Sequence, residues 1–102
     1  MTEVAEKDLL LICNYLLTNQ QENRIERFLV QMENVYQRIA QAPEAGSWPE
    51  ELLKFGILDC REVYSHPYRV VYHYKNNTAK IILIADAHRK LGKLIKMRLS
   101  ML

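Results

Sequence analysis

Glycine, proline and cysteine are scarce in this chain, at three, three and two of its 102 residues. No glycine-rich loop is present to cradle a phosphate, and neither an HExxH helix nor a nucleophile elbow occurs. Cys13 and Cys60 lie far apart, fit no metal-ligand spacing and sit among apolar residues, so both read as buried free thiols in a cytoplasmic protein. No metal site and no cofactor are expected. An excess of one charge is also missing, because 14 basic residues nearly balance 12 acidic ones and leave a net charge of +2. Total charge therefore does not announce a nucleic-acid-binding protein. No basic-then-apolar leader opens the chain, and no apolar run approaches the roughly eighteen residues that span a bilayer. A soluble chain with no membrane partner is expected.

What is present is 49% hydrophobic residues in a length that allows one small domain, residues 1–102, with a modest core that a partner chain would help to complete. Thr2 is a candidate N-cap for a helix running to Leu17, with Ala5, Leu9, Ile12, Cys13 and Leu16 at helical spacing. Leu10, Leu11, Tyr15 and Leu17 widen that stripe and imply contact on more than one side. Thr18 with Gln21, or Asn19 with Glu22, offers a capping box for a second helix that Pro43 stops near Ala42. Its stripe is Ile25, Phe28, Leu29, Met32, Val35, Tyr36, Ile39 and Ala40. Two helices so closely joined form an antiparallel hairpin that packs on a sheet. Ser47, Pro49 and Glu50 start a short helix that Gly56 closes and Trp48 pins. Residues 90–102 form a basic amphipathic helix, with Leu91, Leu94, Ile95 and Leu99 on one side and Lys93, Lys96 and Arg98 elsewhere. It reads equally as a docked helix or as an arm that grips a partner.

Between these helices, Leu58 to Arg89 is dense in β-branched and aromatic residues and reads as three antiparallel strands. A two-residue hairpin at Asn76-Asn77 places Tyr72 opposite Ile81 and Val70 opposite Leu83. Tyr68, Val70 and Tyr72 then share a core face with Ile81, Leu83 and Ala85. Arg69, Val71 and His73 share the other face with Ile82, Ile84, Asp86 and His88, and Arg69 pairs with Asp86 across the strands. A three-residue connection at Ser65 to Pro67 brings Arg61 to that second face and turns Glu62 inward. The fold class is α+β: an N-terminal helical hairpin on a three-stranded antiparallel sheet, followed by a C-terminal helical tail. Among the histidines, His66 reads as structural and His73 as solvated. His88 ends a strand, where an imidazole is rigid and exposed, although strand-end histidines are commonly only solvated.

Four segments in order carry a family resemblance: Ala5-Glu6-Lys7-Asp8-Leu9, Cys60-Arg61-Glu62-Val63, Tyr68-Arg69-Val70-Val71-Tyr72, and the apolar strand ending in His88-Arg89. Together they resemble the RelE/ParE superfamily of toxins from bacterial type II toxin-antitoxin systems. The resemblance implies a cognate antitoxin and one of two targets. RelE-like members cleave mRNA on the ribosome, and here Arg61, Arg69, His88 and Arg89 would supply the positive charge, with His88 as general acid or base. ParE-like members poison DNA gyrase. The lack of any tyrosine after Tyr74 and the low net charge favour the ParE-like branch, with Arg61, Tyr68, Arg69, Asp86, His88 and Arg89 as target-binding residues. An inactive toxin-like binding protein is the third reading. Family members begin with a strand that lies beside the last one; this chain starts as a helix, so the edge at Ile81 to Ala87 lacks that neighbour and is expected to be covered by the basic C-terminal tail folding back, by an extended antitoxin segment or by the same edge of a second copy in a homo-oligomer, with a second chain favoured.

Overall fold

The computed structural model describes all of residues 1–102, in the order α1 (Glu3–Thr18), a 3-10 turn (Glu22–Arg24), α2 (Ile25–Gln41), α3 (Glu50–Leu53), β1 (Cys60–Ser65), β2 (Tyr68–Lys75), β3 (Thr78–Asp86) and α4 (Gly92–Ser100). The strands form one antiparallel sheet in the order β1-β2-β3. No helix is long and apolar enough to cross a membrane.

Thr2 caps α1 by accepting from the Ala5 amide at 3.4 Å. The capping boxes expected for α2 do not form, because Gln21 and Arg24 at the two helix starts make no side-chain cap. Asn19 instead donates its amide to Tyr15 O at 2.8 Å, which closes α1. Phe28, Met32, Val35 and Ile39 of α2 are buried with Ala5 and Leu16 of α1 against Val63, Val70, Tyr72, Ile81 and Ile84. Tyr72 is wholly buried, and its hydroxyl donates to Pro43 O at 2.5 Å.

The Asn76-Asn77 hairpin forms with both asparagines at positive φ, 55° and 59°, and sets Tyr72 opposite Ile81. Beyond that pair the expected register fails. An irregularity between Val71 and Tyr72 sets Val71 opposite Leu83 and Val70 opposite Ile84, so Ile82 is an extra residue on β3. One extra residue reverses the alternation that follows it. Ile84 therefore joins the hairpin face, Leu83 and Ala85 move to the outer face, and Asp86 stands opposite Tyr68 rather than beside Arg69. The β1–β2 loop is also shorter than expected: Ser65 pairs with Tyr68 around His66-Pro67 alone. That single residue exchanges Arg61 and Glu62, so Glu62 stands opposite Val71 and Arg61 opposite Tyr72.

Helices cover the apolar part of the outer face. Leu52 of α3 and Leu91 and Ile95 at α4 cover Cys60, Val71, Ile82, Leu83 and Ala85 in a second core, so α4 is a docked helix. Burial there pushes the Cys60 thiol up to about 11. Gly92 is the first residue of α4.

Arg98 was expected on the polar side of α4 but turns inward. Its guanidinium pairs with Asp8 of α1, with Nη2 to Oδ1 at 2.9 Å, and Nη1 also donates to Ile82 O at 2.9 Å. Asp8 Oδ2 in turn accepts from the Ile84 amide at 3.0 Å, and Thr2 donates its amide and its hydroxyl to Ile81 O at 3.0 and 2.7 Å. The β3 edge from Ile81 to Ile84 is thus closed by Thr2, Asp8 and Arg98 of its own chain, the last from the C-terminal tail that was one of the expected covers, and pairing with another strand there would require their displacement. The outward residues of α1 stay open, with Leu11 66% and Tyr15 64% exposed.

Candidate functional site

Two grooves flank the C-terminal end of β3. The first, about 810 Å³, opens on the outer sheet face between α3 and the start of α4. Arg69 lies at its floor, carried there by the regular alternation of β2. Glu51 takes Nη1 and Nη2 at 2.7 and 2.9 Å, and Glu62 takes Nε and Nη2 at 3.0 and 2.6 Å. Four of the five N–H bonds of the guanidinium are thereby used, in two bidentate pairs. The hydrogen bond from Arg69 holds the Glu51 carboxyl below its ordinary range, and the same contacts raise Arg69 further. Sequence reasoning placed Arg69 on this face but missed both carboxylates. Glu62 arrives through the one-residue loop difference, and Glu51 comes from a helix whose docking no local signal specifies.

The groove as a whole is electrically balanced. Glu50, Glu51 and Glu62 face Arg69, Arg89 and Lys90, with Trp48 and Tyr64 on the rim. Arg61 does not enter it: its Nη1 donates to Gly46 O at 3.0 Å, and its guanidinium lies 4.7 Å from the centre of the Trp48 ring.

The second groove, about 560 Å³, runs between α1 and the end of β3, with Tyr68, Asp86, His88 and Arg89 beside Leu11, Ile12 and Tyr15. Asp86 Oδ1 accepts from the His88 amide at 2.8 Å, which ends the strand in a fixed turn. Tyr68 packs edge-on against Phe28 at 4.9 Å, and burial, then the Asp86 charge, raise its hydroxyl above the ordinary value. The six candidate residues therefore divide. Tyr68, Asp86, His88 and Arg89 come together in this groove, Arg69 lies in the other, Arg89 borders both, and Arg61 borders neither. His88, the expected general acid or base, does not line the groove that holds Arg69. No group of His, Cys, Asp and Glu side chains is arranged to hold a metal ion.

Residues 1–91 match the sequence model of a family described as the ParE toxin of the type II toxin-antitoxin system parDE, and the match ends immediately before α4. The chain matches no curated protein.

Proposed function

We propose that this chain, which belongs to the ParE toxin family of type II toxin-antitoxin systems, acts by binding and inhibiting DNA gyrase rather than by cleaving RNA. Membership makes it the toxin of such a pair and implies an antitoxin partner. The observation that carries the choice between targets is the state of Arg69. In-line attack on a phosphodiester builds negative charge on the phosphoryl oxygens, which free cationic groups must meet. Arg69 is occupied by Glu51 and Glu62, a pair of charges that outweighs it, and His88 stands in a different groove. An incoming phosphate would find Arg69 already engaged by two carboxylates where a nuclease supplies a free cation.

The second groove suits binding instead. Tyr68, Asp86, His88 and Arg89 form a rigid polar end to an apolar trough that continues onto the open residues Leu11 and Tyr15 of α1. Apolar anchors with a polar rim are what a protein partner engages. The test is a gyrase supercoiling assay run beside an mRNA-cleavage assay in a purified translation system. Loss of supercoiling by the parent chain, weakened in Arg89→Ala, with intact mRNA, is expected. Site-specific mRNA cleavage would overturn the reading, and inertness in both assays would leave an inactive toxin-like binding protein.

A further inference from the structure

The surface of α2 carries its charges on two separate stripes. Glu22 of the 3-10 turn, Glu26 and Glu33 recur on one side. Arg27, Gln31, Asn34 and Arg38 follow at i, i+4, i+7 and i+11 on the side beside the β1–β2 loop, with Arg24 at the head. No acidic and basic residues on this helix stand at the i,i+3 or i,i+4 spacing that would stabilise it from within. The ion pairs of the chain involve only Arg69 and Arg98, so Arg24, Arg27 and Arg38 project unpaired. Such segregation adds nothing to the helix itself and leaves a band of positive potential that total charge conceals.

A fixed wall backs the arginine stripe. Gln31 Nε2 reaches Ser65 O at 3.0 Å, Ser65 Oγ at 2.8 Å and His66 O at 2.8 Å, which ties the β1–β2 loop to α2. The Tyr64 hydroxyl engages His66 Nδ1 at 2.9 Å and leaves the other ring nitrogen free. Two shallow grooves of about 320 and 490 Å³ run between helix and loop, both bordered by Arg27, Gln31 and His66. The larger has Val30 and Val35 as its only apolar lining, without the aromatic or large aliphatic anchor pocket of a protein-docking site.

We propose that this ledge follows the phosphate backbone of duplex DNA, without reading bases. Arg27 and Arg38 are separated by about 16 Å along the helix axis, a span that can meet successive phosphates along one DNA strand. Guanidinium forks match phosphate oxygens, and side-chain amides such as Gln31 and Asn34 make the same sequence-independent contacts. Contacts of this number give weak, salt-sensitive binding rather than a tight complex.

The experiment is a fluorescence-anisotropy titration of a labelled 20-base-pair duplex with the full chain over a series of salt concentrations. The expected dissociation constant lies at about 10⁻⁶–10⁻⁴ M, with a log-log salt slope of about −2.7 for three arginines. Arg27→Gln/Arg38→Gln removes about two-thirds of that slope, while Lys93→Gln/Lys96→Gln on α4 leaves it unchanged. Both variants replace exposed residues, and circular dichroism checks their folding. Absence of binding, or a slope indifferent to the α2 variant, overturns the proposal. Competition by poly-glutamate as effective as that by duplex also overturns it and makes the ledge a docking surface for an acidic protein. Gyrase is absent throughout, so the outcome is independent of the gyrase reading.

Discussion

Replacing Asp8 by alanine tests how the β3 edge is closed. In the parent, the Asp8 carboxylate receives both Nη groups of Arg98 and the Ile84 amide, with side-chain exposures of 10% for Asp8 and 13% for Arg98. Asp8→Ala leaves the guanidinium with Ile82 O as its one remaining protein partner and removes the partner of the Ile84 N–H. Breaking a buried pair from one side costs about 3–5 kcal/mol, and an orphaned buried amide costs about 1–3 kcal/mol. The two overlap, and the small residual exposure admits some water, so the expected loss is about 3 kcal/mol. That is a large share of the roughly 5–15 kcal/mol that holds a domain of this size, and it corresponds to a fall in Tm of about 12–24 °C.

Urea unfolding followed at 222 nm measures this loss, with hydrogen exchange at Ile84 reporting the edge directly. Asp8→Asn, which keeps an acceptor for the Ile84 amide, should lose less. The double variant Asp8→Leu/Arg98→Met should be less stable than the parent yet more stable than either single truncation. Removing both charges cancels the unpaired-ion penalty, but the Ile82 carbonyl and Ile84 amide remain without partners. An Asp8→Ala chain within about 0.5 kcal/mol of the parent, with unchanged exchange at Ile84, would refute the reasoning.

Gly46→Ala would place a Cβ 2.3 Å from the hydroxyl of the fully buried Tyr72, so a loss of about 2–3 kcal/mol in urea unfolding is expected; a change below about 0.5 kcal/mol would mean that Tyr72 shifts freely. Glu51 has a folded-state pKa lowered from its ordinary 4.5, chiefly by its hydrogen bond with Arg69. The folded chain therefore binds fewer protons at this group than the unfolded one, and the stabilisation is present above about pH 4.5 and lost as pH falls through the folded value. Urea midpoints of Glu51→Gln measured from pH 3 to 7 should decline less steeply toward acid than those of the parent, and parallel curves would place Glu51 away from Arg69 in solution.

Features set by neighbours along the chain were legible. Periodicity marked α1 and α2, Thr2 marked a helix start, paired asparagines marked the tight hairpin, and Leu91, Leu94, Ile95 and Leu99 marked the docking side of α4. Each follows from steric preference or from a repeat within a few residues. Arg69 was assigned to its face for the same reason, because β2 alternates without interruption.

Errors arose where one residue of length had to be assigned without knowing what lay opposite. The loop at His66-Pro67 and the extra residue at Ile82 each changed parity, which moved Arg61, Glu62, Ile84 and Asp86 to the faces opposite those expected. The α2 ledge was concealed in the same way, since a net charge of +2 says nothing about how arginines and glutamates divide around a helix. The amino-acid sequence by itself determined the elements, the order of the strands' turns and the apolar stripes, because those depend on local geometry. Only the tertiary structure decided that Glu51 and Glu62 neutralise Arg69 and that Asp8 and Arg98 close the β3 edge, because those pairs join residues as far as 90 positions apart, and their meeting depends on the register and docking of every element between them.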